Sequence, residues 1–203
     1  MMTEDEWWVC DDPQRLLTFL GEGFSDRKLR LAACAYCAPL QQFIVDPRSK
    51  LAIDAAEGYV DGEVSLAELK AASEAAWEAE KVLQGQGYEW RQWYIARCAA
   101  RLAGEIHEVC NLIISGDGSG RQWIYDLAGN PFNPVAVNVS WLTSDVLALA
   151  EGIYQERAFD GLPILADALQ DAGCDNDAVL FHCRQPGEHV RGCWVVDLLT
   201  GRK

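Results

Sequence analysis

The sequence predicts an all-α fold, an antiparallel helical array or bundle, and three observations carry that expectation. Apolar residues recur at three- and four-residue spacing through most of the 203 residues, the stripe that a helix buries. Side chains able to cap a helix start stand in front of most of these stretches. β-prone residues form one short run, at 135–139, inside a stretch rich in Pro and Asn.

Taken in order, Thr3 with Glu6 makes a capping box for a short first helix. Asp12 before Pro13 gives an N-cap with proline in the first turn, and "PQRLLTFL" runs on to the glycines at 21 and 23. Ser25 opens a third helix, whose stripe is Leu29, Ala33, Tyr36, Cys37 and Leu40; Pro39 should end or kink it near Ala38, because the ring removes a donor and crowds the carbonyl four residues back. Asp46-Pro47 repeats the cap before "RSKLAIDAAEGYV". Ser65 with Glu68 starts the alanine-rich "LAELKAASEAAWEAEKVL", which allows close helix approach. After "GQGYEW", one long helix is expected over 88–114. Pro and Asn make an extended segment of about 127–142, which should pack Phe132 and Trp141 onto helices. The closing part returns to helices at "VLALAEGIYQERAF", "LPILADALQDAG", "AVLFHCR" and "CWVVDLL".

Half the residues are apolar and 24% are charged, a balance that supports a packed core. We expect one helical domain over 1–203, divisible into two lobes, 1–114 and 121–203, joined by the Gly/Ser loop 115–120. That loop, "SGDGSGRQ", lacks the Gly-Lys-Ser/Thr of a phosphate loop. The net charge of −14 makes phosphate backbones and anionic lipid surfaces poor partners. No apolar stretch suggests a membrane span, and "MMTEDEWW" lacks the basic and apolar regions of a signal peptide. A cytoplasmic location follows as the expectation, with the 8 cysteines reduced.

Chemistry concentrates in "HCRQPGEHVRGCW", from His182 to Trp194. If this stretch is helical, His189 and Cys193 share one face, a spacing that suits a metal, with Cys183 and His182 a short turn away. Cys34 and Cys37 have CxxC spacing and complete a tetrahedral zinc set if the two ends of the chain meet. The competing expectation is packing, with the thiols in the core and His189 hydrogen-bonded to a neighbouring helix. Glu105, His107 and Cys110 lie together in "GEIHEVC", where a cleft would make a small enzyme and packing would make a partly buried imidazole. Neither HExxH nor GxSxG occurs.

The 8 tryptophans supply candidate contact residues, Trp7 with Trp8 and Trp90 with Trp93, since such rings dominate binding hot spots. Adjacent residues on a helix point about 100° apart, so only one of Trp7 and Trp8 faces inward.

Two blocks, "TEDEWWVCDDPQRLLTFLGEGFSDRKLRLAACAYC" and "GNPFNPV…WLTSDVLALAEGIYQERAFDGLPILADALQDAGC…HCRQPGEHVRGCWVVDLLTGRK", resemble a paralogous family of planctomycete bacteria. The family's first block carries adjacent cysteines and arginines where this chain reads "CAYCAPLQQ". The resemblance implies no activity and suggests association with companion modules. The resulting expectation is a non-catalytic module that binds another protein and needs no cofactor. Its alternative is a zinc-binding structural domain, with a small enzyme around Glu105 and His107 third.

Overall fold

A computed structural model describes residues 2–114 and 120–202. Among them are twelve α-helices and no strand, as the apolar spacing predicts. The chain divides into two compact units, Met1–Ile124 and Tyr125–Lys203. Most of the 115–120 loop, read as joining two lobes, lies outside the described residues.

The first unit holds α1 (Glu4–Val9), α2 (Pro13–Leu20), α3 (Asp26–Cys37), α4 (Pro47–Val60), α5 (Leu66–Gly85), α6 (Trp90–Leu102), α7 (Ile106–Ile114) and the start of α8 (Gly120–Ala128). Each cap anticipated in this unit is made, whereas the helix at Ser144–Glu156, for which Ser144 or Asp145 is the expected cap, is capped by Thr143. Thr3 and Glu6 reciprocate, Asp12 accepts from Gln14 and Arg15, Ser25 from Lys28, Asp46 from Arg48, and Ser65 reciprocates with Glu68. Pro39 ends α3 as expected, and a 3-10 turn occupies Ala38–Phe43.

Helices α4, α5 and α6 pack on one another, and α3 packs on α4, α6 and α7. Small side chains permit this: Ala52, Ala56, Ala76, Ala79, Ala96, Ala99 and Ala100 are all fully buried. Ser73 Oγ donates to the Ala100 carbonyl oxygen at 2.8 Å, which ties α5 to α6 through a polar group in the core.

The single helix expected over 88–114 is instead two, α6 and α7. Buried Arg30 of α3 accounts for the break. Its Nη1 donates to the Leu102 carbonyl oxygen at 2.6 Å and its Nη2 to that of Gly104 at 2.9 Å. The guanidinium thus caps carbonyls that a helix end leaves without partners, and it lies 5.4 Å from the centre of the Tyr59 ring. Such a cap from 72 residues away leaves no local trace in the sequence.

The second unit contains the end of α8, α9 (Ser144–Glu156), α10 (Leu162–Asp171), α11 (Asp177–Arg184) and α12 (Trp194–Thr200). Residues 129–138 are irregular, and a 3-10 turn follows at Val139–Trp141. The extended segment therefore begins after α8, later than 127. Its Val135 and Val137 pack against the core and Trp141 is buried in it, while Phe132 is half-buried. Helix α9 packs on α10 and α12, and α10 on α11, around Val146, Tyr154, Leu165, Leu169, Val179 and Val195.

Gly129 joins α8 to this core. It has a φ of +65°, and a Cβ built there would meet the Trp194 ring at 3.0 Å. Glycine is required twice over, by the left-handed backbone and by the ring.

Candidate metal centre

Four side chains of the second unit converge: Asp126 of α8, His182 of α11, His189 of the loop between α11 and α12, and Cys193 at the N-cap of α12. One potential ligand atom from each lies within 4.8 Å of every other. Among the described residues this is the group of His, Cys, Asp and Glu side chains placed to hold a metal ion.

Its geometry centres on Asp126. Oδ1 lies 2.6 Å from His189 Nδ1 and 3.3 Å from His182 Nε2, while Oδ2 accepts the Val190 N–H at 3.0 Å. His182 Nε2 also lies 3.1 Å from Cys193 Sγ, and the Gln185 amide stands 3.4 Å from His182 Nδ1. The imidazoles meet edge to face at 4.8 Å, and Trp194 covers His182 at 5.2 Å. Asp126, His182 and Cys193 are buried; the His189 side chain is 8% exposed.

Burial works to raise the Asp126 pKa, but hydrogen bonds and charge from His182 and His189 outweigh it and hold the carboxyl below its usual value. Cys193 goes the other way. Burial and the Asp126 charge push its thiol well above the usual value, against the N–H groups of Val196 and Val195. The site thus combines a carboxylate with a protonated thiol.

This arrangement lacks the relay of a thiol hydrolase. That chemistry uses one imidazole nitrogen for the thiol and the other for the carboxylate. Here both approach the same His182 nitrogen, Nε2, and the thiol is fully buried. What the group does share is proximity, with one potential ligand atom from each residue within 4.8 Å of the others, alongside the short His189–Asp126 hydrogen bond.

Of the residues anticipated for metal, His189 and Cys193 belong to this group, but they share no helix. Residues 185–193 form a loop, and its return brings the two together. Cys183 lies outside the group. It is the neighbour of His182 on α11 and turns into the core, where burial pushes its thiol up to about 12. Cys34 and Cys37 also lie outside it. They are buried in α3 of the first unit, and Cys37 is raised well above the usual thiol value by its hydrogen bond with Cys98 and by burial. None of the eight cysteines is in a disulfide.

Asp126 is the member that sequence reasoning missed, and His182 is noted there only as lying a short turn away. Residues 120–128 were not expected as a helix, although Trp123, Ile124 and Leu127 have helical spacing and are buried. His182 stood beside the chosen Cys183, and adjacent helical residues face different ways.

The remaining candidates are surface or packing features. Trp7 is fully buried against Phe19, which removes it from the contact residues; Trp8 is half exposed. Trp90 is 57% exposed, whereas Trp93 packs beside Ala79, Leu83 and Ala96, with Arg97 over its ring. His107 and Glu105 are both exposed, with Glu105 3.8 Å from Lys70, so the partly buried imidazole expected here is not found. No helix among the described residues is long and apolar enough to cross a membrane.

Protein-family models, curated proteins and solved structures provide no match to this chain, so the reading of the site rests on its own geometry.

Proposed function

We propose that the second unit binds one zinc ion through Asp126, His182, His189 and Cys193, and that the ion serves as a structural clasp. The observation that carries this reading is the convergence of four ligand atoms of suitable chemistry within 4.8 Å. Zinc bonds of about 2.0–2.2 Å to N and O and about 2.3 Å to S place tetrahedral ligand pairs roughly 3.3–3.6 Å apart. The His182–Asp126 separation, 3.3 Å, falls in that range, and His182–Cys193, at 3.1 Å, must lengthen by about 0.4 Å to reach the value of an N–S pair.

Charge favours the same ion. A carboxylate and a thiolate offset the two positive charges of zinc, so the loaded site is neutral where burial penalises net charge. Thiolate and imidazole also select zinc over magnesium or calcium. Val190 N–H steadies the second carboxylate oxygen, and the Gln185 amide, turned to present Oε1, would accept the His182 Nδ1 proton and leave Nε2 its lone pair. Four protein ligands leave no position for a water, which supports a structural role over a catalytic one.

The wider reading is a cytoplasmic, non-catalytic accessory module that binds another protein, as the resemblance to the planctomycete family suggests. Trp8 and Trp90, both half exposed or more, support the first unit as its contact side.

Metal analysis of protein prepared without chelator tests the zinc reading. About one zinc per chain is expected, lost in Cys193→Ser and in Asp126→Asn. Cobalt(II) in its place should give a thiolate-to-metal charge-transfer band that Cys193→Ser abolishes. Wild-type protein that retains no zinc after loading and dialysis would overturn the reading.

A further inference from the structure

Resting on the zinc reading, we infer that His189 is the gate of the site, the ligand that withdraws to admit the ion and the first to leave when it is released. Asp126 and His182 stand within helices, and Cys193 directly adjoins α12. Of the four, only His189 neither lies within a helix nor caps one. The loop is anchored just after it, where Val190 donates to Asp126 and accepts from Cys193 N–H at 2.9 Å. Just before it, Pro186, Gly187 and Glu188 are all exposed.

The shortest contact in the group points to the same residue. His189 Nδ1 and Asp126 Oδ1 are 2.6 Å apart, too close for two ligands of one tetrahedral ion, which need about 3.3 Å. Loading must separate them. Asp126 is fixed within α8 and the backbone just after His189 is tied to it by Val190 N–H, so the movement falls to the imidazole and the exposed residues before it. That imidazole is only 8% exposed and the other three side chains are buried, so the ligand atoms are shut off from solvent. Entry and exit therefore both wait on the same opening.

A gate of this kind changes rates in both directions without changing affinity. Gly187 provides a mild way to stiffen it, since an added Cβ meets nothing within 4 Å and the backbone there is not left-handed. Stopped-flow transfer of zinc to and from a chromophoric chelator should show uptake and release both slowed about two- to five-fold in Gly187→Ala, with the equilibrium constant unchanged. In His189→Ala, release should be faster than in wild type and slowed again by added imidazole. Unchanged rates in Gly187→Ala, a changed affinity there, or release from His189→Ala no faster than wild type would each overturn the gate. Wild-type protein that takes up no zinc would instead overturn the zinc reading itself.

Discussion

The two units solve the problem of stability by different means. The first relies on long helices packed closely through alanine, and its buried Arg30 and Glu80 find partners within it. Arg30 caps two carbonyls, and Glu80 accepts from Arg97 at 2.6 Å and from Gln84. The second has about 80 residues, near the size below which a single core rarely supplies more than about 3–5 kcal/mol. Its α11 and α12 are short, with 8 and 7 residues, and it places an acid, two imidazoles and a thiol inside. Burying those groups costs stability unless they are fully satisfied. The contrast teaches that such a cluster in the smaller unit is a candidate staple, whereas thiols in the larger one fill space.

The sharpest test of this contrast removes the staple. On the proposed zinc binding, the ion in 1,000-fold excess over its dissociation constant would contribute about 4 kcal/mol. Chelation, or Cys193→Ser, should therefore lower the protection of α9 and α12 amides in hydrogen exchange by roughly 10³-fold, leaving α4 to α6 unchanged. Equal losses in both units would break the distinction.

Arg30→Ala should produce the reverse pattern. It removes two charge-assisted hydrogen bonds and leaves the Leu102 and Gly104 carbonyls without their caps, at a cost of about 3 kcal/mol. Urea unfolding followed through probes in the first unit should show that loss, and zinc content should stay at the wild-type value. A third change acts at the junction of α8 with its core. Gly129→Ala forces a Cβ against the Trp194 ring in a left-handed backbone, which should destabilise the second unit by about 1–2 kcal/mol. Trp194 covers His182, so the same variant should also weaken zinc binding in a competition titration.

These sites also show what the sequence made legible. Caps, the stop at Pro39 and the apolar stripes are local, and they marked most helices of the first unit. The break between α6 and α7 was hidden because its cause, Arg30, acts from 72 residues away. Helical spacing pairs His189 with Cys193, yet it is a loop that brings the two into one cluster. Asp126 lies 63 residues from His189, and no spacing rule links them. Cys34 and Cys37 matched a ligand pattern more closely than any pair in the actual cluster, but they occupy the buried face of a helix. Spacing reports which side chains share an element; packing decides which elements meet.

The smallest expected effect is the acid response of a surface pair in the second unit. Arg202 makes two hydrogen bonds to Glu151, at 2.9 and 2.7 Å, and lies 4.0 Å from the centre of the Tyr154 ring. Hydrogen bonds from Arg202 and Gln155 pull the Glu151 pKa down to about 2. Since the folded value is the lower one, the pair stabilises the fold above the unfolded pKa of about 4.3 and loses that contribution as pH falls toward 2. Glu151 is 47% exposed, so solvent screening limits the contribution to under about 1 kcal/mol. Glu151→Gln should thus lower stability by at most that amount at pH 7 and by nothing near pH 2, as read by urea midpoints of the two proteins across this range. The difference should also shrink in high salt. A difference that instead grows on acidification would overturn this assignment, whereas an acid-induced loss equal in the two proteins belongs to groups other than Glu151, such as Asp126, whose carboxylate the two histidines hold below its usual pKa.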